Sequence, residues 1–297
     1  MYVYYFNAVD ERNKKIVVDE SLSFTHPFPP THLAFIPDKT GVRPDLLASS
    51  GDALRIWRLS HSGTTMEAMM KDPGLVGATG TNAVTGFDWN DLDIKRIVSG
   101  STNGLLSTWD VDTNSITCRL KAHRGEVFDC QWSAVDILAS SSSDGTIRIF
   151  DLRDQDHCTI LYDSPAKAPI VKLDWNRLDP RFMAFITADS PLVTILDVRF
   201  PKAPAVVLNR HTAPCNAVGW SPNSRGYICT AGDDRQTLIW DARRLAPDES
   251  MSNGAEQGID PVLAYTAEAE ISQMCWNVSF PEWLAICCRN KTQILRV

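Results

Sequence analysis

The residues suited to chemistry in this sequence do not fall into the spacings of known catalytic motifs. The 297 residues contain no nucleophile elbow, P-loop, HExxH zinc motif, EF-hand loop or dinucleotide-binding glycine fingerprint. The glycine-rich stretch GATGTN, residues 77–82, has no lysine, which favours a loop over a phosphate cradle. We therefore expect a protein that is not an enzyme, with no catalytic residue, no metal and no cofactor.

The cysteines do not form a metal-binding or disulfide pattern. Eight are scattered along the chain, and no two have the CxxC spacing of zinc sites and redox motifs. The start, MYVYYFNAVDERNKK, lacks the basic residues that open a secretory signal, and the sequence has no run of about eighteen apolar residues. These features predict an intracellular protein with no membrane segment.

Three acidic residues are each followed, two positions later, by an arginine. They stand in FDLR, LDVR and WDAR, and the pairs are Asp151 with Arg153, Asp197 with Arg199, and Asp241 with Arg243. One interpretation is a solvated ion pair that adds little stability. The arginine fork also suits protein interfaces, because it makes several hydrogen bonds of fixed direction.

Composition and charge are those of an ordinary folded, acidic chain. The 29 basic and 36 acidic residues give a formal net charge of −7, which repels nucleic acid and anionic membranes. Hydrophobic residues make up 44% and charged residues 22%, values that exclude wholesale disorder, collagen and coiled coil. We expect no direct nucleic-acid partner and no membrane partner. The length is close to the size at which one core stops growing, so the core must divide or repeat.

Aromatic residues recur in columns that define an internal repeat. The first column is Phe35, Trp89, Trp132, Trp175, Trp220 and Trp276. The second column, later in each repeat, is Trp57, Trp109, Phe150, Leu196, Trp240 and Leu295. Between the two columns stands an acid or amide, at Asp52, Asn103, Asp144, Asp189, Asp234 and Asn290.

Each repeat is built of short runs rich in Val, Ile, Leu, Thr and aromatic residues, cut by Gly, Pro, Asn and Asp. Such runs predict four antiparallel strands, with the acid or amide in the turn between the second and third. His26, His123 and His211 each stand nine residues before their first-column aromatic. With this histidine and the terminal Trp-Asp, the chain resembles the WD40 family, which implies an all-β propeller.

The resemblance implies a buried hydrogen-bonded relay from the histidine through a hydroxyl, the turn aspartate and a tryptophan. One set fits completely: His211, Thr230, Asp234 and Trp240. A second set, His123, Ser140 and Asp144, ends early because Phe150 has no indole N–H. We interpret both sets as structural rather than catalytic, since satisfied buried polar networks are common in folded proteins.

Longer runs, from HPFPPTHLAFIPDKTGVRPDLLASSGDALRIWR to the ending QILRV, resemble one WD-repeat lineage. It includes the plant Transparent Testa Glabra regulator and its animal kinase-scaffold and cullin-RING associated relatives. The resemblance implies helix-loop-helix and MYB transcription factors, DYRK-type kinases and the adaptor of cullin-RING ubiquitin ligases as partners, and a nuclear and cytoplasmic location. WDxR endings are similar to the docking box for that adaptor, so the three Asp-x-Arg pairs are candidates for it.

These features predict a non-catalytic scaffold that mediates protein–protein interactions and serves as a substrate receptor of a cullin-RING ligase. A propeller hydrolase or lyase and a non-functional truncated product are the alternatives. The face opposite the three Asp-x-Arg pairs is predicted to bear loops. It offers candidate residues for binding a basic or extended peptide: His26, Pro27, Asp52, Glu268 and Glu270.

The number of blades stays open between seven and six. Members of that lineage have seven, which predicts a truncated start and one propeller domain over residues 1–297. Its parts are a partial first blade at 1–25, five complete repeats at 26–269 and a three-stranded last repeat at 270–297. The alternative is six blades closed by a strand at 15–24. Turn-rich residues 60–82 and 244–261 are predicted to be surface loops.

Overall fold

The computed structural model describes residues 22–60, 62–72, 83–243 and 259–297. These residues form 23 strands, which make six antiparallel sheets in chain order. The chain divides into two compact units, Met1–Val135 and Asp136–Val297. Among the described residues, no helix has the length and apolar character needed to span a lipid bilayer.

The strands of the first unit belong to sheets 1 and 2, with one further strand, β9. Sheet 1 contains β1 (Leu33–Phe35), β2 (Leu46–Ser49), β3 (Leu54–Ser60) and β4 (Gly63–Met70). Sheet 2 contains β5 (Val84–Trp89), β6 (Arg96–Ser101), β7 (Leu105–Asp110) and β8 (Ser115–Lys121). Strand β9 (Val127–Trp132) begins sheet 3.

The second unit contains the remaining strands. Sheet 3 continues with β10 (Ile137–Ser142), β11 (Thr146–Asp151) and β12 (Asp154–Asp163). Sheet 4 contains β13 (Ile170–Trp175), β14 (Phe182–Thr187), β15 (Val193–Asp197) and β16 (Val206–Leu208). Sheet 5 contains β17 (Cys215–Trp220), β18 (Tyr227–Gly232), β19 (Gln236–Asp241) and β20 (Pro261–Thr266), and sheet 6 contains β21 (Ile271–Trp276), β22 (Trp283–Cys288) and β23 (Lys291–Arg296).

The expectation of seven blades is wrong for the described residues, which form six sheets, the number that the alternative predicted. Seven came from the resemblance, whereas the strands from Leu33 onward supply five four-stranded sheets and one of three strands. The partial blade at 1–25 and the closing strand at 15–24 lie outside the described residues, except for residues 22–25, which are not in a strand. The prediction of a single domain stays a prediction.

The columns of the repeat mark the same points in every sheet. Each first-column aromatic is the last residue of the first strand, and each second-column residue lies on the third strand. The acid or amide lies between the second and third strands, and in three sheets its side chain caps the turn. Backbone N–H groups two residues further on donate to Asn103 (3.2 Å), Asp144 (3.0 Å) and Asp234 (3.0 Å).

The loop predicted over residues 60–82 contains a strand, β4, which pairs with β3 from Leu54↔Met70 to Ser60↔Gly63. The sequence GTTMEAMM has little strand character, but the exposed edge of β3 offers a backbone ladder, and Glu67 forms an ion pair with Arg58. Tertiary pairing therefore overrides local preference. Residues 61 and 73–82 lie outside the described part, as do residues 244–258 of the second predicted loop, whose last residue begins β20.

Sheet 5 shows why both faces of these strands are apolar. One face contributes Ile228 and Trp240 to a core shared with sheet 4. The other face contributes Cys229 and Ile239 to a core shared with sheet 6. A sheet packed on both faces has no polar side, so its strands read as continuous apolar runs rather than alternating ones.

Neighbouring sheets are also joined through their first strands. In the second unit, Asp174 on β13 accepts the backbone N–H of Trp220 on β17 at 2.6 Å, and its carbonyl accepts the indole N–H at 3.1 Å. In the first unit, Asp88 on β5 binds Trp132 on β9 in the same way, at 2.8 and 3.1 Å. An aspartate directly before the first-column tryptophan therefore links its sheet to the next.

We expect Asp174→Ala to lower the free energy of unfolding by about 1–3 kcal/mol, because the largely buried N–H of Trp220 loses its acceptor. Urea denaturation followed by tryptophan fluorescence measures the change. Asp156→Ala, which removes an exposed carboxylate from β12, is the control and should leave stability within about 0.5 kcal/mol. Equal stability of the two variants would show that this link between sheets is dispensable.

Candidate protein-interaction site

The relay in sheet 5 brings its four residues together. The indole N–H of Trp240 donates to Thr230 Oγ1 at 2.9 Å, and Thr230 Oγ1 lies 2.7 Å from His211 Nε2. His211 Nδ1 lies 2.8 Å from Asp234, and these two side chains are only 1% and 3% exposed. A neutral histidine with its proton on Nδ1 satisfies every group, because Thr230 then donates to Nε2 and Nδ1 donates to the carboxylate. The polar side-chain atoms of the relay are thus bonded to one another inside the core.

A second relay, which the sequence analysis missed, lies in sheet 1. His26 Nε2 is 3.0 Å from Ser49 Oγ, which also accepts the indole N–H of Trp57 at 2.8 Å. The structure places His26 in this hydrogen-bonded chain, and its predicted role in binding a partner stays a prediction. The signal was its position nine residues before Phe35, shared with His211 before Trp220.

The incomplete relay set falls in both compact units. His123 is buried in the first unit, and Ser140 is buried on β10 in the second. Asp144 caps the turn before β11, where its Oδ1 accepts the N–H and the hydroxyl of Thr146, at 3.0 and 2.6 Å. Asp144 therefore has a structural task that does not depend on a histidine.

The residues predicted to bind a peptide also fall in both units. In the first, Asp52 forms an ion pair at 2.7 Å with Arg55, whose hydrogen bond lowers the pKa of Asp52, and Pro27 lies in an exposed bend. In the second, the ammonium of Lys291 lies 2.5 Å from Glu268 and lowers the pKa of that carboxyl. Glu270, the other acid predicted to bind a peptide in this unit, is exposed. Among the described residues, no ion pair with a lysine offsets its charge.

The three Asp-x-Arg pairs share one geometry at the same edge of sheets 3, 4 and 5. Each aspartate is the last residue of a third strand. The Nε of the arginine donates to one carboxylate oxygen at 2.8, 3.0 and 2.9 Å, and Nη2 donates to the other at 2.5, 2.6 and 2.5 Å. The guanidinium groups are held in a fixed orientation while the arginine side chains stay 68%, 49% and 61% exposed, for Arg153, Arg199 and Arg243.

These pairs add little to stability, since exposed ion pairs are weak, but they prepare the arginines for binding. The guanidinium of Arg153 lowers the pKa of Asp151 to about 2. The hydrogen bond from Arg199 likewise lowers the pKa of Asp197. Part of the ordering entropy of the arginine side chains is thus lost before any partner arrives, which favours association.

A fourth pair of the same kind was missed in the sequence. Arg181 donates to Asp179 through Nε at 2.7 Å and Nη2 at 2.6 Å. It stands at the start of β14, where Phe182 pairs with Asp197, so it lies next to the Asp197 pair. The signal was the same acid-x-arginine spacing in LDPRF, passed over because it begins a strand rather than ending one.

A small cavity opens between sheets 4 and 5 on this edge. Its volume is 130 Å³, and it is lined by Asp179, Arg181, Phe182, Trp220, Arg225, Gly226, Ala242 and Arg243. Gly226 is required there, since an added Cβ would lie 2.0 Å from Cγ of Arg243. Arg243 also donates to the Tyr227 hydroxyl at 3.0 Å and lies over that ring.

The described residues contain no cluster of three or more His, Cys, Asp or Glu side chains arranged to hold a metal ion. All eight cysteines lie in the described part of the chain and are free thiols. Burial raises the pKa of Cys215 to about 12, so this thiol is not a reactive nucleophile at neutral pH.

Thr230→Val should lower the free energy of unfolding by about 1–3 kcal/mol, because His211 and Trp240 lose their shared hydroxyl inside the core. Thr237→Val is a matched control on the neighbouring strand. Its buried hydroxyl has no hydrogen-bond partner among the described residues, so valine there should be neutral or stabilising. Thermal unfolding of both variants measures the difference, and a loss of stability in both would argue against the relay.

Arg153→Ala should raise the pKa of Asp151 from about 2 toward its ordinary value of about 3.9. A lowered pKa means that the pair contributes above the ordinary value and is lost as the pH falls toward about 2. Carbon-13 NMR at pH 4 should therefore show Asp151 ionised in the parent chain and partly protonated in the variant. Lys167→Ala, which removes a cation paired with Asp163, should change nothing at Asp151. A carboxyl that titrates alike in all three chains would contradict the pairing.

Comparisons with known proteins agree with this architecture. The WD domain, G-beta repeat family profile matches residues 114–151 and 202–241. The chain is 39% identical to the DDB1- and CUL4-associated factor 7 homolog of Dictyostelium discoideum, over 92% of this chain and 82% of that protein. It is 29% identical to a WD repeat-containing protein of Saccharomyces cerevisiae, over 72% of this chain and 47% of that protein. It is 27% identical to an uncharacterized WD repeat-containing protein of Schizosaccharomyces pombe, over 91% of this chain and 75% of that protein. The chain therefore belongs to the WD40-repeat family of β-propellers and, within it, to the family of the Dictyostelium DDB1- and CUL4-associated factor 7 homolog.

Proposed function

We propose that this chain is a non-catalytic scaffold that docks on DDB1, the adaptor of a cullin-RING ubiquitin ligase, and serves that ligase as a substrate receptor. The observation that carries the proposal is the row of three Asp-x-Arg pairs, equivalent in three successive sheets and ordered in the same way. The name of the Dictyostelium relative states an association with DDB1 and CUL4 for that protein. Together, the arginine row and the relative point to the same kind of partner.

The physical argument rests on how the arginines are presented. Each guanidinium is fixed by two hydrogen bonds to an aspartate at a strand end, yet the arginine side chain stays about half exposed or more. Rigid, exposed arginines are effective interface residues, because their fork keeps its direction and loses less conformational entropy on binding. Sheets 4 and 5, which carry Arg199 and Arg243, are packed on both faces.

The clients of the scaffold are proposed from the lineage resemblance. They are helix-loop-helix and MYB transcription factors or DYRK-type protein kinases, encountered in the nucleus and the cytoplasm. The loop edge opposite the arginine row includes the exposed Glu270. It is a surface that such proteins can use while DDB1 occupies the arginine row. The two edges would then serve two partners at once.

Replacing Arg153, Arg199 and Arg243 together by alanine should weaken binding to purified DDB1 at least about 30-fold, since truncating charged interface groups costs about 2–5 kcal/mol. Isothermal titration calorimetry with the full chain measures the affinity. Stability should change little, because the three ion pairs are exposed.

The control replaces three other exposed, ion-paired cations, Lys167, Arg210 and Lys291, by alanine. It removes the same formal charge, so it separates docking from a general electrostatic effect, and it should keep its affinity within about threefold. Affinity purification of the parent chain should also recover client proteins that remain bound to the arginine variant. Absence of DDB1 binding by the parent chain would overturn the proposal.

A further inference from the structure

The cavity between sheets 4 and 5 lies on the edge that carries the arginine row, and Arg243 belongs to both. Its lining includes three arginines and one aspartate, and with Asp241, which pairs with Arg243, one positive charge remains in excess on a chain whose formal net charge is −7. Such a patch attracts an acidic group and repels a basic one. The positive charge of the cavity and its position on the arginine-bearing edge therefore distinguish it from the rest of this acidic protein.

The three arginines of the lining are not equivalent. Arg181 and Arg243 are held by Asp179 and Asp241 through Nε and Nη2. Within the described residues, the Arg225 side chain makes no hydrogen bond and no ion pair. Arg225 is therefore an exposed cation in the lining whose donors are available, although its charge also acts on the Asp179 carboxyl and helps to lower the pKa of that group.

The rest of the wall is apolar. Phe182 and Ala242 are buried, and the indole N–H of Trp220 is already donated to the carbonyl of Asp174, so the ring offers only its apolar surface. These apolar surfaces can contact the methylenes of a bound side chain, while the exposed Arg225 meets its charge.

Size narrows the class of ligand. At 130 Å³ the cavity is smaller than the roughly 300–1,000 Å³ of typical small-molecule sites, and it has room for one side chain. Asp or Glu combines a carboxylate for the arginine with methylenes for the apolar wall. A protein partner whose surface reaches the neighbouring arginine row would bring such a residue to the mouth.

We infer that this cavity receives one acidic side chain, Asp or Glu, from the protein that docks on the Asp-x-Arg row, and that Arg225 is its principal ion-pair partner. The inference rests on the proposed function, because it takes DDB1 as the docking protein. It adds Arg225, which lies outside the Asp-x-Arg row, to the docking surface. It also requires that the partner presents an acidic side chain there.

The test measures binding of the full chain to purified DDB1 by calorimetry, with Arg225→Ala, Arg225→Glu and the control Lys202→Ala. Lys202 is an exposed cation in the loop after β15 and does not line the cavity. We expect Arg225→Ala to weaken binding about 30-fold, by analogy with other charged interface pairs, and Arg225→Glu to weaken it further through repulsion. Lys202→Ala should stay within about threefold of the parent chain, and raising the salt concentration should weaken the parent more than Arg225→Ala.

Each other outcome overturns the inference in a recognisable way. If both Arg225 variants bind like the parent while the triple arginine variant does not, the cavity is empty in the complex and the proposed docking still stands. If Arg225→Glu binds more tightly, the partner inserts a basic residue toward Asp179. If the parent chain does not bind DDB1, the proposed function fails and this inference falls with it. Thermal unfolding of every variant shows whether a loss of binding reflects a loss of fold.

Discussion

Sheet-on-sheet packing is the constraint on which the rest of this structure depends. A sheet such as sheet 5 has a neighbour on both faces, so its three buried strands, β17, β18 and β19, are apolar on both sides. A polar group within it is costly unless it finds a partner inside the protein, because water has no access. The relay of His211, Thr230, Asp234 and Trp240 is the solution to that requirement, and the links from Asp174 to Trp220 hold neighbouring sheets in register.

The same constraint separates structural from functional residues. Histidine, threonine and aspartate in one hydrogen-bonded line resemble an active site in composition, but their atoms are committed to one another inside the core. The groups free to meet another molecule are at the strand ends, where packing stops. There the aspartate that ends a third strand orders the arginine two residues later, and a rigid sheet presents that arginine to solvent.

The arginine edge shows how one repeated local feature becomes a surface. Each pair forms within three consecutive residues and adds little stability by itself. Stacking of sheets 4 and 5 then places Arg181, Arg225 and Arg243 around a single cavity, with Trp220 as part of its wall. No single repeat contains that arrangement, because it needs the loop of one sheet beside the strand end of the next.

The sequence by itself determined what depends on residues close together in the chain. The first aromatic column marks strand ends, the Asp or Asn marks a turn, and an acid two positions before an arginine forms its own ion pair, since all these interactions are local. The relay of His211 was implied by the family resemblance, whereas that of His26 was missed although its spacing was the same. Only the tertiary structure decided the number of sheets, the strand formed by GTTMEAMM and the cavity beside Arg225. The physical reason is that these features depend on which strands and sheets become neighbours. Neither the hydrogen bonds between two paired strands nor a cavity lined by two sheets is encoded within one repeat.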